Sequence, residues 1–198
     1  MPINLIEKGY NETSAANPGE SVKLPAGGYI CRVVNVAFVY SKKNLPMLEL
    51  YLDIAEGEFK NYFAESTKRR KQFNPDLRWE TNGIYRQTIL TADDKVSSFF
   101  KGLLTLLVKD NPNANVKLDA FDYACFFGAT LGFVFAEEEY DFKGYSGVRV
   151  VPKFPKSIED IRNGNFKIPE LKRSPESSSN TSDNDFGGTP ISKDDTPF

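Results

Sequence analysis

The sequence predicts a mainly β fold, a five-stranded barrel with one added helix, followed by an acidic tail. Three observations in the 198-residue chain predict it: a β-branched and aromatic run at residues 29–40, apolar alternation at residues 48–54, and a helical stripe of apolar residues at 96–107. The stripe separates three predicted strands from two. A chain of this length buries an apolar core without disulfides or metal ions.

The first three strands differ in the strength of their patterns. The run at 29–40 is too long for one straight strand, so we expect it to curve or bulge before a turn at 41–44. Alternation at 48–54 predicts a strand buried on one face. Residues 59–63 are expected to resume extended structure, and a polar insertion then leads to a third strand at residues 84–90.

The added helix is predicted over residues 92–109. Thr91 resembles an N-cap and is followed by an acid at the third helical position. The apolar residues that follow at helical spacing are Val96, Phe99, Phe100, Leu103, Leu104 and Leu107. Of these, the two Phe residues and the leucines are expected in the core.

The rest of the body contributes two strands. A short helical or irregular piece near 118–123 leads to a glycine-bent strand at 126–135. The last strand is predicted at 145–151, and a small helix at 157–162 closes the body. This order predicts an OB-fold, a five-stranded Greek-key barrel with a helix between strands 3 and 4 that commonly binds oligonucleotides or oligosaccharides.

Composition argues against catalysis. The chain has no His, which excludes His-dependent triads and His-containing zinc sites. Cys31 and Cys125 lie far apart in apolar runs and are expected to be buried free thiols. The consecutive acids within residues 137–141 cannot all converge on one ion, and there is no Walker lysine pattern. We therefore expect no enzyme activity, no catalytic residue, no cofactor and no metal site. With no membrane span or signal pattern, a cytoplasmic protein is expected.

Charge divides the chain in two. The net charge is −2, but residues 174–198 carry five acidic residues and one Lys among many Ser, Asn, Gly and Pro residues. Such a segment cannot offset the entropy of ordering, so residues 173–198 are predicted to be a disordered acidic tail. Residues 1–172 then form the domain, with 1–24 as a lead-in segment.

Basic and aromatic side chains alternate in the polar insertion. Cations that contact phosphates, beside planar side chains that stack on bases, are the combination that single-stranded DNA binding requires. The candidate residues in the insertion are Lys68, Arg69, Arg70, Lys71, Phe73, Arg78 and Trp79. The candidates elsewhere are Tyr40, Lys42, Lys43, Arg86, Lys143, Arg149 and Lys153. The alternative is a solvated basic loop with Phe73 and Trp79 packed in the barrel, and ordinary surface charge elsewhere. Tyr51 is left out because Glu49 and Asp53 flank it.

The chain ends in Asp194-Asp195-Thr196-Pro197-Phe198 after a Ser/Asn/Gly-rich linker. This order of domain, linker and tip resembles that of single-stranded-DNA-binding proteins of bacteria and phages. The resemblance implies that Phe198 enters an apolar pocket on replication, recombination or repair partners. It also implies that Pro197 stiffens the tip while Asp194 and Asp195 lie along a basic ridge.

The expected function is to coat single-stranded DNA without strong sequence preference, in a phage or prophage replication module, and to recruit partners through the tip. The alternative is an OB-fold adaptor with little direct DNA binding. An RNA- or duplex-binding protein differs only in substrate. An exposed strand edge would allow a homo-oligomer, and the sequence leaves the oligomeric state open.

Overall fold

The computed structural model describes residues 4, 6–7, 23–142 and 145–171. Its strands are β1 (Gly27–Tyr40), β2 (Pro46–Ile54), β3 (Ile84–Thr88), β4 (Thr130–Phe142) and β5 (Tyr145–Lys156). Its α-helices are α1 (Tyr62–Lys71), α2 (Ser98–Asp110) and α3 (Ile158–Arg162), with short 3₁₀ turns at Thr81–Gly83 and Tyr123–Phe126. The prediction of a mainly β domain with few helices is confirmed.

The five strands form one antiparallel sheet in the order β3-β2-β1-β4-β5. The long strand β1 is central because its first half pairs with β4 and its second half with β2. A register shift between Val33 and Asn35 marks the predicted irregularity, where the strand changes partners. The outer strands β3 and β5 come within 8 Å of each other between Cα atoms, so the sheet curls toward a barrel.

The core lies on the concave side of the curled sheet. Leu48, Leu50 and Leu52 from β2 are fully buried there, as their alternation predicts. Phe133 and Phe135 of β4 and the buried leucines of α2 complete it. Helix α2 packs against β3, β4 and β5, at the predicted place between strands 3 and 4. Of the thiols, Cys31 is buried and Cys125 half-buried, and both are free.

Helix α2 begins later than predicted. The segment 91–96 is instead a tight turn, closed by the N–H of Thr91 donating to the carbonyl of Lys95 at 2.7 Å and by a bridge between Leu90 and Val96. The N-cap position is therefore Ser97, not Thr91. The expectation that Phe99 is core is also wrong, because its side chain is 77% exposed. Val96, which now precedes the helix, is 60% exposed.

Two further predictions need correction. The segment expected to be extended at 59–63 is a turn that enters α1, and the polar insertion is helical over Tyr62–Lys71. The piece near 118–123, expected to be helical or irregular, is irregular through Asp122, and a 3₁₀ turn follows at Tyr123–Phe126. The predicted closing helix is confirmed as α3, with the Ser157 side chain accepting the N–H of Asp160. No helix in the described ranges has the length and apolar character needed to cross a membrane.

Candidate nucleic-acid interface

Helix α1 depends on a carboxylate from another element. Asn61 occupies the N-cap position in a left-handed conformation, with φ of 62°, and its side chain makes no capping bond. Instead Asp53 of β2 accepts the backbone N–H groups of Phe63 and Ala64 at 3.1 and 3.3 Å. A carboxylate at this end satisfies free N–H groups and favours the helix dipole. The helix is therefore anchored to the end of β2.

Helix α1 presents its basic residues to solvent. Phe63 and Thr67, one turn apart, are its buried residues. Lys68, Arg69 and Lys71 are exposed, and they make no ion pair with any residue that the structure describes. Because all three lie in the last turn, they also interact favourably with the negative end of the helix dipole. The predicted basic loop is thus a helical turn with three available cations.

Arg70, the fourth cation of this run, forms an ion pair. Arg70 Nη1 lies 3.2 Å from Glu80 Oε1, and the Ser66 hydroxyl donates to the same carboxylate oxygen. Glu80 therefore links α1 to the segment that leads into β3. This contact fixes the helix against its return segment and partly neutralises Arg70.

The two aromatic candidates of the insertion occupy different environments. Phe73, just after α1, is 90% exposed. Trp79 is half-buried against the core, and its indole N–H is buried with no hydrogen-bond partner in the described part of the chain. A Cβ placed on Gly83 would lie 2.9 Å from both Trp79 Nε1 and the Phe63 ring, so Trp79 packs closely on that glycine. Phe73 is the aromatic of this segment that is open to a ligand.

The convex face of β1, β2 and β3 lies beside α1. Tyr51 of β2 is on this face, opposite Asn35 and Ile84. Its hydroxyl donates to Glu49 at 3.1 Å, and burial together with Glu49 raises its pKa, while Arg86 and Arg78 oppose the rise. Arg78 is therefore close enough to act on the Tyr51 hydroxyl electrostatically. Arg78 is exposed and makes no ion pair among the described residues.

Besides Arg70, three predicted DNA-binding cations are held by carboxylates. Arg86 Nε lies 2.7 Å from Glu49 Oε1 across the β2–β3 pair. Arg149 and Lys153 both contact Glu138, at 3.0 and 3.1 Å. Burial raises the pKa of Glu138, but the hydrogen bonds from Lys153 and Arg149 outweigh it and hold the pKa below its usual value. Glu138 stays ionised and neutralises one of the two cations, so these three side chains together keep one positive charge.

The β1–β2 hairpin carries the remaining described candidates. Tyr40 is 63% exposed, and Lys42 and Lys43 lie exposed in the turn that follows it. Sequence reasoning missed two neighbours: Phe38, 42% exposed, and Tyr123, 41% exposed, whose ring centroids lie 6.2 Å apart. The i, i+2 spacing of Phe38 and Tyr40 could have indicated a shared face, but Tyr123 comes from a distant segment.

Several predicted residues lie outside the described residues: Lys143 and the tip residues Asp194, Asp195, Pro197 and Phe198. Within the described ranges, no three or more Asp, Glu or Cys side chains come together as metal ligands.

No protein-family model matches the chain, and no curated protein matches its sequence.

Proposed function

We propose that this protein has an OB-fold and binds single-stranded DNA without strong sequence preference during replication, recombination or repair. One observation carries the proposal: the last turn of α1 presents Lys68, Arg69 and Lys71, unpaired among the described residues, directly before the exposed ring of Phe73. Cations followed by an open aromatic face are what a single strand needs and a duplex does not use.

The strand order supports the fold assignment. In an OB barrel the first strand pairs with both the second and the fourth, and a helix commonly joins strands 3 and 4. Here β1 pairs with β2 and β4, α2 lies between β3 and β4, and β3 approaches β5. The convex face of β1 to β3, where OB proteins bind oligonucleotides, is the face that α1 and Arg78 adjoin.

The proposed mechanism is equilibrium binding without a chemical step. Lys68, Arg69, Lys71 and Arg78 contact phosphates and release counterions, which sets the affinity and makes it fall with salt. Phe73 stacks on an unpaired base. The acidic tip, with Phe198 as its apolar anchor, recruits replication or repair proteins from the end of the tail.

A salt-dependent titration tests this function. Oligo-dT and a duplex of equal length are titrated with purified protein from low to moderate salt, with a fluorescent label on the DNA. We expect tight, salt-sensitive binding to oligo-dT and much weaker binding to duplex. In the Lys68→Ala/Arg69→Ala variant, the slope of log K against log salt should fall by about 1.4, at about 0.7 per lost contact to a single strand.

The matched control removes the same charge elsewhere. Lys101 on α2 and Lys167 after α3 are exposed, and neither lies on α1, β2 or β3. The Lys101→Ala/Lys167→Ala variant should keep the wild-type slope. If the slope fell equally in both variants, the effect would come from the net charge of the protein and not from a site on α1. Absence of oligo-dT binding at low salt would overturn the proposal in favour of a protein-binding adaptor.

A further inference from the structure

We propose that Phe38, Tyr40 and Tyr123 form a second stacking site for unpaired bases at the β1–β2 hairpin. We call these three residues the hairpin aromatic cluster. The inference rests on the proposed function, because it assigns part of the same single strand to a separate place on the protein. It adds two residues, Phe38 and Tyr123, and a face of the sheet other than the one α1 adjoins.

The three rings form one contiguous group. Phe38 and Tyr40 meet edge to face, with centroids 5.4 Å apart and planes at 87°. Phe38 and Tyr123 lie nearly parallel, with centroids 6.2 Å apart and planes at 29°. All three rings remain between 41% and 63% exposed. Ring–ring contacts therefore fix their orientation while each ring keeps open surface.

Register places the cluster on the concave side of the hairpin. Phe38 pairs with Leu48 and Val36 with Leu50, and side chains directly opposite each other in an antiparallel pair share a face. Leu48 and Leu50 are core residues, so Phe38 and Tyr40 continue the core face past the rim of the sheet. Glu49 and Tyr51, beside the α1 region, point to the convex face.

The charges around the cluster fit a nucleic acid. Lys42 and Lys43 lie in the turn one residue after Tyr40, and neither makes an ion pair with any described residue. The nearest acid in sequence, Asp122, turns back to accept the N–H of Ala124 at 2.8 Å. Planar rings flanked by available lysines match bases on a phosphate backbone better than an aliphatic protein surface.

The two sites lie at opposite ends of β2. Asp53, which anchors α1, is six residues from Met47 beside the hairpin, a distance of about 20 Å along a strand. A single strand that contacts α1 and then passes the hairpin tip would meet Lys42 and Lys43 before its bases reach the cluster. The cluster would thus engage one end of the bound strand.

The test separates stacking from charge. Phe38→Leu and Tyr123→Leu keep apolar volume but remove the aromatic face, and both are titrated with oligo-dT and with an abasic oligonucleotide of equal length. We expect each variant to bind oligo-dT about tenfold more weakly, with unchanged abasic binding and unchanged salt slope. Phe99→Leu, at an exposed ring on α2, is the matched control and should bind like wild type.

The outcomes are distinct. Wild-type affinity for oligo-dT in the Phe38→Leu and Tyr123→Leu variants would overturn the cluster while leaving the α1 site intact. Equal losses on oligo-dT and abasic DNA would also overturn it, because the rings would then act through folding or charge. Thermal unfolding of each variant checks that the fold is retained. If wild type binds neither oligonucleotide at low salt, the proposed function fails, and the cluster with it.

Discussion

The usefulness of a basic residue as a phosphate ligand here depends on the carboxylate nearest to it. Arg86 lies 2.7 Å from Glu49, so a phosphate at this point would meet a pair with no net charge. Lys68 and Arg69 have no such partner in the described part of the chain. Exposed ion pairs contribute little to stability, but they reduce the field that a strand meets. The α1 turn is therefore the stronger site.

Asp53 gives a residue-scale prediction about stability. It is 1% exposed and accepts three backbone N–H groups, including that of Ile54, and burial raises its pKa above 3.8 against those hydrogen bonds. Asp53→Asn keeps the accepting oxygen and removes the buried charge. We expect the variant to be as stable as wild type at pH 7 or more stable, by about 1 kcal/mol, in urea unfolding.

The sign of the pH dependence follows from the raised pKa. The folded protein holds the Asp53 proton more tightly than the unfolded chain, so this group stabilises most below pH 3.8 and loses that contribution as pH rises through the folded pKa. The difference in the free energy of unfolding between Asp53→Asn and wild type should shrink as the pH falls toward 4. Asp53→Ala removes the oxygen that accepts these N–H groups, so it should lower the free energy of unfolding by about 1–2 kcal/mol. A similar loss in Asp53→Asn at pH 7 would contradict the account.

At the scale of elements, local patterns predicted the strands better than the helices. Strands β1 and β2 follow from β-branched runs and period-2 alternation, which depend on neighbours in sequence. Helix α1 buries only Phe63 and Thr67, so it shows no apolar stripe, and its N-terminus is satisfied by Asp53, ten residues before Phe63. A cap supplied from another strand leaves no local signal in the sequence.

Only part of the candidate site could be predicted from the sequence, because the rest depends on contacts between distant segments. Composition alone indicates that Lys68 and Arg69 are exposed, because a run of four cations cannot be buried. The pairing of Arg86 with Glu49 depends on the β2–β3 register across 37 residues. Likewise, the contact of Phe38 with Tyr123 depends on how the chain before β4 returns to β1. These long-range contacts decide which predicted residues are available.

Gly132 gives an element-scale prediction about the packing of α3. A Cβ at this position in β4 would lie 2.6 Å from the Lys156 carbonyl oxygen and 2.7 Å from Ile161. Since one of these atoms is backbone, the end of β5 and α3 must move to admit it. We expect Gly132→Ala to lower the free energy of unfolding by about 1–3 kcal/mol, measured by urea denaturation.

Gly102 provides the matched control for this change. It lies on the exposed side of α2, and a Cβ there would have nothing within 4 Å. Since Ala favours a helix over Gly, Gly102→Ala should raise stability by about 1 kcal/mol. A Gly132→Ala variant as stable as wild type would mean that α3 does not pack on β4 as described.

For the whole molecule, charge is distributed unevenly around the sheet. The pairing of β1 with β4 stops at Gly27 and Phe135, and beyond it β4 pairs with β5 alone. This part of the β4–β5 hairpin carries four acidic residues, Glu137, Glu138, Glu139 and Asp141, together with Arg149. By contrast, Lys68, Arg69 and Lys71 lie close together on α1, and Lys42 and Lys43 lie in the β1–β2 turn. Under the proposed function, this excess of carboxylates makes the β4–β5 hairpin a less favourable surface for a polyanion than the last turn of α1.

The same asymmetry predicts an effect of the acidic tail on DNA binding. Residues 174–198, which lie outside the described residues, hold five acidic residues and one Lys. Under the proposed function, a tethered segment of this charge would compete with DNA for the cations of α1 at a high effective concentration. Deleting 174–198 should tighten oligo-dT binding at low salt, and the gain should fade once the screening length drops to about 10 Å near 0.1 M salt.

Replacing the five acids by Asn and Gln in the full-length chain should tighten binding as much, because charge rather than length drives the competition. Oligo-dT titrations at several salt concentrations measure both variants, and an affinity unchanged by either at low salt would show that the tail does not occupy the DNA site.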